Sequence, residues 1–287
     1  MSRMRLLNVD GRLALERNGA AVDVKRASNG KFSPDLQEAF ERWDELRHWA
    51  EGLDDPEGED VDPARLGPPV GTPRQIFAIG LNYRGHAEEN SIDLPDTPMV
   101  FTKFASSITG PFGTITMPPG SVDWEVELVA VIGRRAEGVR EESAWDYVAG
   151  LTVGQDLSER NLQVKPPVPQ QFSLAKSYPG FAPLGPALVT PDAFADPNDL
   201  AISCAIGQET VQESRTGDLI FGVPTLVSYL SGILPLLPGD LIFTGTPSGV
   251  GFARTPQRFL QHGDELVTSI EGIGSMRHRM VSTEGQQ

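Results

Sequence analysis

Apolar positions fall into two textures along this chain. Over "SPDLQEAFERWDELRHWAEGL", Leu36, Phe40, Trp43 and Leu46 recur at helical spacing, which predicts a helix with one apolar face. Ser33 is placed to cap it, Pro34 suits its first turn and Gly52 ends it. Ahead of it, "LLNVDGRLALERNGAAVDV" predicts short strands joined at Asp10-Gly11, a tight-turn pair. From Ile76 onward short apolar runs alternate with Gly- and Pro-rich turns: "IFAIG", "TITMP", "VELVAVIG", "LTVGQD", "LAISCAIG", "DLIFTG" and "ELVTSIEGIG". Helical stretches there are brief, around "YRGHAEEN", "SAWDYVAG" and "VPTLVSYLSGIL". Many short strands without βα alternation argue for an antiparallel or mixed β architecture and against a Rossmann or TIM fold. The expected class is α+β and β-rich, with peripheral short helices. A small N-terminal α+β module over residues 1–70 precedes a main domain over 71–287, and the acidic "EGLDDPEGEDVDPARLG" reads as a solvated linker between them.

Composition changes this picture in three ways. A formal net charge of -15 over 287 residues argues against nucleic acid as a partner, because a phosphate-binding face needs clustered Lys and Arg. Three of the few lysines, Lys103, Lys165 and Lys176, nevertheless fall mid-chain and offer a local attraction for a small anion. No apolar run approaches the ~18 residues of a membrane helix. The opening "MSRMRLLNVDGRLALERNG" lacks the apolar core of a secretion signal, so a cytoplasmic location is expected. The single cysteine, Cys204, reads as a buried structural thiol, with no histidine or basic residue near it in sequence.

The stretch "DWEVELVAVIG" carries the candidate chemistry. Glu125 and Glu127 stand two apart on an extended segment, so both point to one face, on a strand that continues as a buried type. Like charges there repel unless something neutralises them. A third acid, Asp156, follows "LTVGQ" where the chain enters the polar "DLSERNLQ". Three carboxylates without cysteine or adjacent histidine suit a hard divalent cation bound by oxygen, Mg²⁺ or Mn²⁺ rather than Zn²⁺. Of the histidines, His48, His262 and His278 read as surface or structural. His86 opens a short helix with Glu89 three residues on, a spacing at which a carboxylate can orient an imidazole as a base.

"GLNYRGHAEE", "FTKFASSITGP", "DWEVELVAVIG", "GLTVGQDLSERNLQ", "QFSLAKSYPGFAPLGP" and "LLPGDLIFTGTPSGVG" follow one another in an order and spacing that resembles the fumarylacetoacetate hydrolase family, over roughly Arg74 to Met280. The resemblance implies a mixed β-sandwich or β-roll core, a homodimer and a Mg²⁺ or Mn²⁺ site, with Ca²⁺ an occupant in crystals. It matches Glu125, Glu127 and Asp156 to the family's metal ligands and Lys176 to the lysine beside them. Arg160 and Gln163 match positions holding the substrate's carboxylate and oxo group, and Tyr83 and Thr246 are taken as further substrate contacts. His86 and Glu89 match a dyad on a mobile lid. Two positions depart from the pattern: Gln155 stands where many members have Asn, and Asn161 where many have Asp, which bears on substrate identity rather than on the metal ligands.

Such a site implies a metal-dependent hydrolase that cleaves a C–C bond in an acylpyruvate or 2,4-dioxo acid, such as a diketo-deoxy sugar acid or a fumarylpyruvate-like compound, through a metal-stabilised enolate. Lys176 would share the enolate's charge, and His86 with Glu89 would deprotonate the attacking water. The same enolate serves two alternatives, an oxaloacetate-type decarboxylase and a 2-hydroxyhepta-2,4-diene-1,7-dioate-type isomerase. Outside enzymes, a Ca²⁺-stabilised binding module would explain the carboxylates but not the lysine, arginine and dyad. The expected partner is a small 2-oxo acid, with neither nucleic acid nor membrane.

Overall fold

In the computed structural model, residues 3–53, 57–85, 93–164 and 170–283 are described. Two hairpins begin the chain. Asp10 and Gly11, then Asn18 and Gly19, take positive φ of 51°, 79°, 51° and 82°. Two-residue hairpin loops need this backbone to match the right-handed twist of their strands. They join Arg5–Val9, Arg12–Arg17 and Ala20–Asp23.

These strands extend the main sheet. Arg5 and Leu6 pair with Val189 and Leu188 of the strand Ala182–Val189. From there an 11-stranded sheet runs through Val148–Gln155, Val126–Ile132, Leu241–Phe243, Ile76–Gly80 and Met99–Thr102. It is mixed, because Leu241–Phe243 lies parallel to Ile76–Gly80 and antiparallel to Val126–Ile132. A second sheet orders five strands as Glu209–Arg215, Ala201–Ile206, Glu265–Ile270, Gly274–Ser282 and Phe112–Met117. Helices are short and peripheral, so the β-rich α+β expectation holds.

One core contains Val126, Leu128, Ala130 and Val153 of the large sheet together with Ile202, Cys204, Leu266 and Met276 of the small one. A second core brings Leu36, Phe40, Trp43 and Leu46 together with Val129, Val131, Ala149 and Phe243. Alternate residues of Val126–Ile132 therefore enter different cores. Every position of that strand is buried, which is why it reads as a continuous apolar run. Cys204 is buried, and burial pushes its thiol well above the usual range, as for an inert structural thiol.

Three local expectations change. The predicted helix is two, Leu36–Glu41 and Trp43–Glu51, separated at Arg42, whose φ of -120° and ψ of 33° leave helical geometry. Its N-cap is Asp35 rather than Ser33. Asp35 Oδ1 accepts from the amides of Gln37 and Glu38, in register with the first unpaired amides, whereas the Ser33 hydroxyl accepts from Asp35 N. The acidic segment is no free tether either. Glu59 and Ala21 exchange backbone hydrogen bonds, Arg65 pairs with Asp10 and Glu59, and Leu66–Gly67 pairs with the first strand. Among the described residues no helix is long and apolar enough to cross a membrane.

Candidate metal centre

The strand expected to run from Asp123 into the core is interrupted. Val122–Asp123 pairs with Ser158–Glu159 and Val126–Ile132 pairs with Val148–Gln155, while Trp124 and Glu125 belong to neither strand. Their amides are buried and need partners. Trp124 N donates to Asp123 Oδ1 at 2.8 Å, Glu125 N to Gln155 Oε1 at 2.9 Å and Val126 N to Gln212 Oε1 at 3.0 Å. Asp156 N donates to Glu125 O at 2.9 Å. Two segments distant in sequence are thus tied at the backbone just where they carry carboxylates.

Glu127 lies opposite Gly154 in the strand register. A Cβ at Gly154 would meet Val129 Cγ2 at 2.5 Å and Phe243 Cε1 at 2.8 Å, so the close sheet packing there requires glycine. Glu125, Glu127 and Asp156 are all buried and offer oxygens within 4.8 Å of one another. The two glutamates converge as their spacing predicts, although Glu125 precedes the regular strand.

Three buried cations surround this cluster. Lys176, just beyond the short helix Phe172–Ala175, places Nζ 2.8 Å from Glu125 Oε2 and 2.6 Å from Asp156 Oδ2. Lys103 Nζ lies 2.6 Å from Asp156 Oδ1 and also donates to the Lys176 carbonyl. Arg160 Nη2 lies 2.7 Å from Glu125 Oε1 and 2.8 Å from Asp123 Oδ2. Burial works against charge on Lys176, yet Asp156 and Glu125 raise its pKa. For Lys103 burial wins and lowers it.

Glu127 pairs with none of these cations. Its Oε2 accepts from Gly245 N at 2.7 Å. Gly245 has φ +101°, and a Cβ there would meet Asn82 Cβ at 2.8 Å, so glycine alone brings that amide in. Burial, then the charges of Asp156 and Glu125, push the Glu127 carboxyl well above the usual range. A positive charge bound there would offset the repulsion among the three carboxyls. Three converging hard oxygen donors fit a divalent ion such as Mg²⁺ or Mn²⁺, which Glu125, Glu127 and Asp156 would hold.

A cavity of about 370 Å³ opens beside the cluster, lined by Glu125, Arg160, Gln163, Lys176 and Thr246. Much of its remaining wall is apolar, including Ile79, Met99, Phe101, Phe172 and Phe252. Arg160 Nη1 donates to Gln163 Oε1 at 2.7 Å, so two expected substrate contacts meet. Tyr83 is the exception. It is 1% exposed and does not line this cavity; among the described residues its hydroxyl has no hydrogen-bond partner, and burial followed by the charge of Glu127 raises its pKa. Its expected role as a direct contact does not follow from this placement. His86, Glu89 and Lys165 lie outside the described residues.

Four site residues escape a reading by motif. Lys103 was visible only as part of a basic patch. Asp123 accepts from Arg160 Nε and from the amides of Gly251 and Phe252, and so anchors the arginine to the Gly-rich loop. Gln155 and Gln212 hold the break in the strand. The departure at Gln155 was the one signal available: it reaches Glu125 N and also donates to Thr268 Oγ1 and Cys204 Sγ.

The family model described as fumarylacetoacetate (FAA) hydrolase C-terminal matches residues 75–281. A curated relative from Rattus norvegicus, named oxaloacetate tautomerase Fahd2a, mitochondrial, is 43% identical over 215 residues, covering 74% of this chain and 68% of its own length. Among solved structures, a Mycobacterium smegmatis protein with a provisional HpcE designation is 52% identical, with a TM-score of 0.93 over 98% of this chain and 100% of its own. Maleylpyruvate hydrolase from Sphingobium sp. SYK-6, solved with manganese(II) and pyruvate, is 27% identical, with a TM-score of 0.81 over 97% and 99%. The relatives' names overturn the cytoplasmic expectation, because they describe mitochondrial proteins. That expectation rested on a missing apolar leader, which bears on secretion but does not distinguish one aqueous compartment from another.

Proposed function

The chain belongs to the fumarylacetoacetate hydrolase family, and from that premise we propose that it is a divalent-metal enzyme that interconverts the keto and enol forms of an oxaloacetate-like 2-oxo acid. The observation that carries this is the cluster of three buried carboxyls, Glu125, Glu127 and Asp156, beside a cavity lined by Arg160 and Lys176. A Mg²⁺ or Mn²⁺ ion held by Glu125, Glu127 and Asp156 would supply Lewis-acid polarisation of the substrate's oxygens. Arg160 and Gln163 orient the carboxylate end. Lys176, kept protonated by Asp156 and Glu125, holds its Nζ proton toward the oxygen on which charge develops. Proton transfer at the carbon beside the ketone needs no water nucleophile and no leaving group, and the 43% identical tautomerase supports this reading.

A second reading, C–C hydrolysis of an acylpyruvate, draws on the maleylpyruvate hydrolase neighbour and on the apolar wall, which suits an acyl chain better than a second carboxylate. In it, His86 with Glu89 activates water. Decarboxylation of oxaloacetate would use the same enolate. The test is the purified protein with Mg²⁺ or Mn²⁺, given enol-oxaloacetate, keto-oxaloacetate and an acylpyruvate. Loss of enol absorbance without CO₂ or free acid supports the tautomerase. Pyruvate plus free acid from the acylpyruvate, abolished by His86→Ala, supports the hydrolase, and CO₂ the decarboxylase. Turnover of none of these removes the proposal. A homodimer belongs to the same proposal and is read by sedimentation.

A further inference from the structure

Gln212 stands on Glu209–Arg215, in the small sheet, and is 2% exposed. Its three hydrogen-bonding partners fix which way its amide faces. Oε1 accepts from Val126 N at 3.0 Å, while Nε2 donates to Pro247 O at 2.8 Å and to Thr246 Oγ1 at 2.8 Å. A peptide N–H can only donate and a peptide carbonyl can only accept, so the flipped amide is excluded. Both Nε2 hydrogens are thereby used, and one of them occupies a lone pair of the Thr246 hydroxyl.

That leaves the Thr246 hydrogen to point elsewhere. Among the described residues no acceptor receives it, and Thr246 lines the cavity with Arg160 and Lys176. We propose that Gln212, which does not itself line the cavity, is a positioning residue that fixes Thr246 as a hydrogen-bond donor toward an anionic oxygen of the bound oxo acid. The inference rests on the oxo-acid reading for the identity of that oxygen. The same amide holds Val126 N, beside Glu125, so the donor is set by the group that shapes the ligand strand. An unoriented hydroxyl could donate or accept; this one is committed before substrate arrives, which removes a reorganisation step from binding.

The test is a double-mutant cycle read by calorimetry with oxalate, a non-reacting mimic of the chelating end, on the Mn²⁺-loaded protein. Gln212→Glu keeps an acceptor for Val126 N but turns the other oxygen into an acceptor for the Thr246 hydrogen. Oxalate affinity should then fall about 10- to 100-fold, the range for one hydrogen bond to a charged group, measured at Mn²⁺ saturation set by electron paramagnetic resonance on the same variant. Thr246→Val should show a similar loss, the Gln212→Glu loss should shrink in that background to the repulsion of its added charge, and Thr246→Ser should retain oxalate binding. If Gln212→Glu does not fold by circular dichroism, Gln212→Met takes its place and should give a smaller loss that vanishes in Thr246→Val. Unchanged oxalate affinity in a folded Gln212 variant, an undiminished loss in the Thr246→Val background, or no oxalate binding by the wild type overturns the inference. Oxalate binding with the expected cycle but no turnover of any 2-oxo acid would sink the function and leave the role of Gln212 standing.

Discussion

Asp156 receives two lysines, one on each carboxylate oxygen, and both lysines are buried. Lys103 does not reach the cavity; it neutralises Asp156 from behind and caps the carbonyl of Lys176. Breaking a lone buried ion pair costs about 3–5 kcal/mol; Lys176 stays on Asp156 when Lys103 is removed, which sets the cost at the lower end. Lys103→Met should therefore lower the unfolding free energy by about 3 kcal/mol in urea titrations, whereas Lys31→Met, on the surface, should change it by less than about 0.5 kcal/mol. Equal effects would mean that the Lys103 pair contributes nothing net. The carboxylates were legible because acids on an otherwise apolar strand contradict their surroundings. Lys103, Asp123, Gln155 and Gln212 were not, because each acts on a residue brought near only by folding.

At the scale of elements, strand Gly274–Ser282 carries His278, which read as a surface or structural histidine and is buried and structural. It is 1% exposed; its Nε2 lies 2.9 Å from Gly110 O, and among the described residues its Nδ1 has no partner. Since a carbonyl only accepts, Nε2 carries the hydrogen and Nδ1 is bare. Burial depresses the pKa below its ordinary 6.5, against the bond to Gly110, which raises it. The unfolded chain therefore takes up a proton at a pH where the folded one does not, and stability falls as pH drops below about 6.5. His278→Gln should flatten that acid limb in melting curves recorded from pH 7.5 to 5.5 in EDTA; an unchanged slope would assign it to other groups. Turns were the most legible elements, since Asp10-Gly11 must take positive φ wherever it stands. The break at Trp124–Glu125 was not, because side chains from other segments satisfy the backbone there, and at Arg42 the guanidinium reaches out to Lys31 O, a contact only the fold supplies.

For the molecule as a whole, the candidate ion lies where both sheets meet: Glu127 is on the large sheet, Asp156 directly follows its strand Val148–Gln155, and Gln212 braces the ligand strand from the small one. An ion that binds only the folded state stabilises it by about 2.7 kcal/mol at a hundred times its Kd. For a chain of this length that is a rise in Tm of roughly 5 °C. Mn²⁺ should produce it and EDTA reverse it, while Glu127→Gln should abolish it; an equal shift in that variant would place the ion elsewhere. The apolar rhythm made the β-rich class legible, but not the pairing of Arg5–Val9 with Ala182–Val189, which joins the chain's opening to a strand well past its middle. That pairing has a consequence for heredity. The matched segment 75–281 is no interchangeable cassette, because a recombinant that gave it a foreign leader would also have to supply a strand in register with Leu188 and Val189. A donor lacking one would leave Leu188 and Val189 without their antiparallel partners from the opening strand.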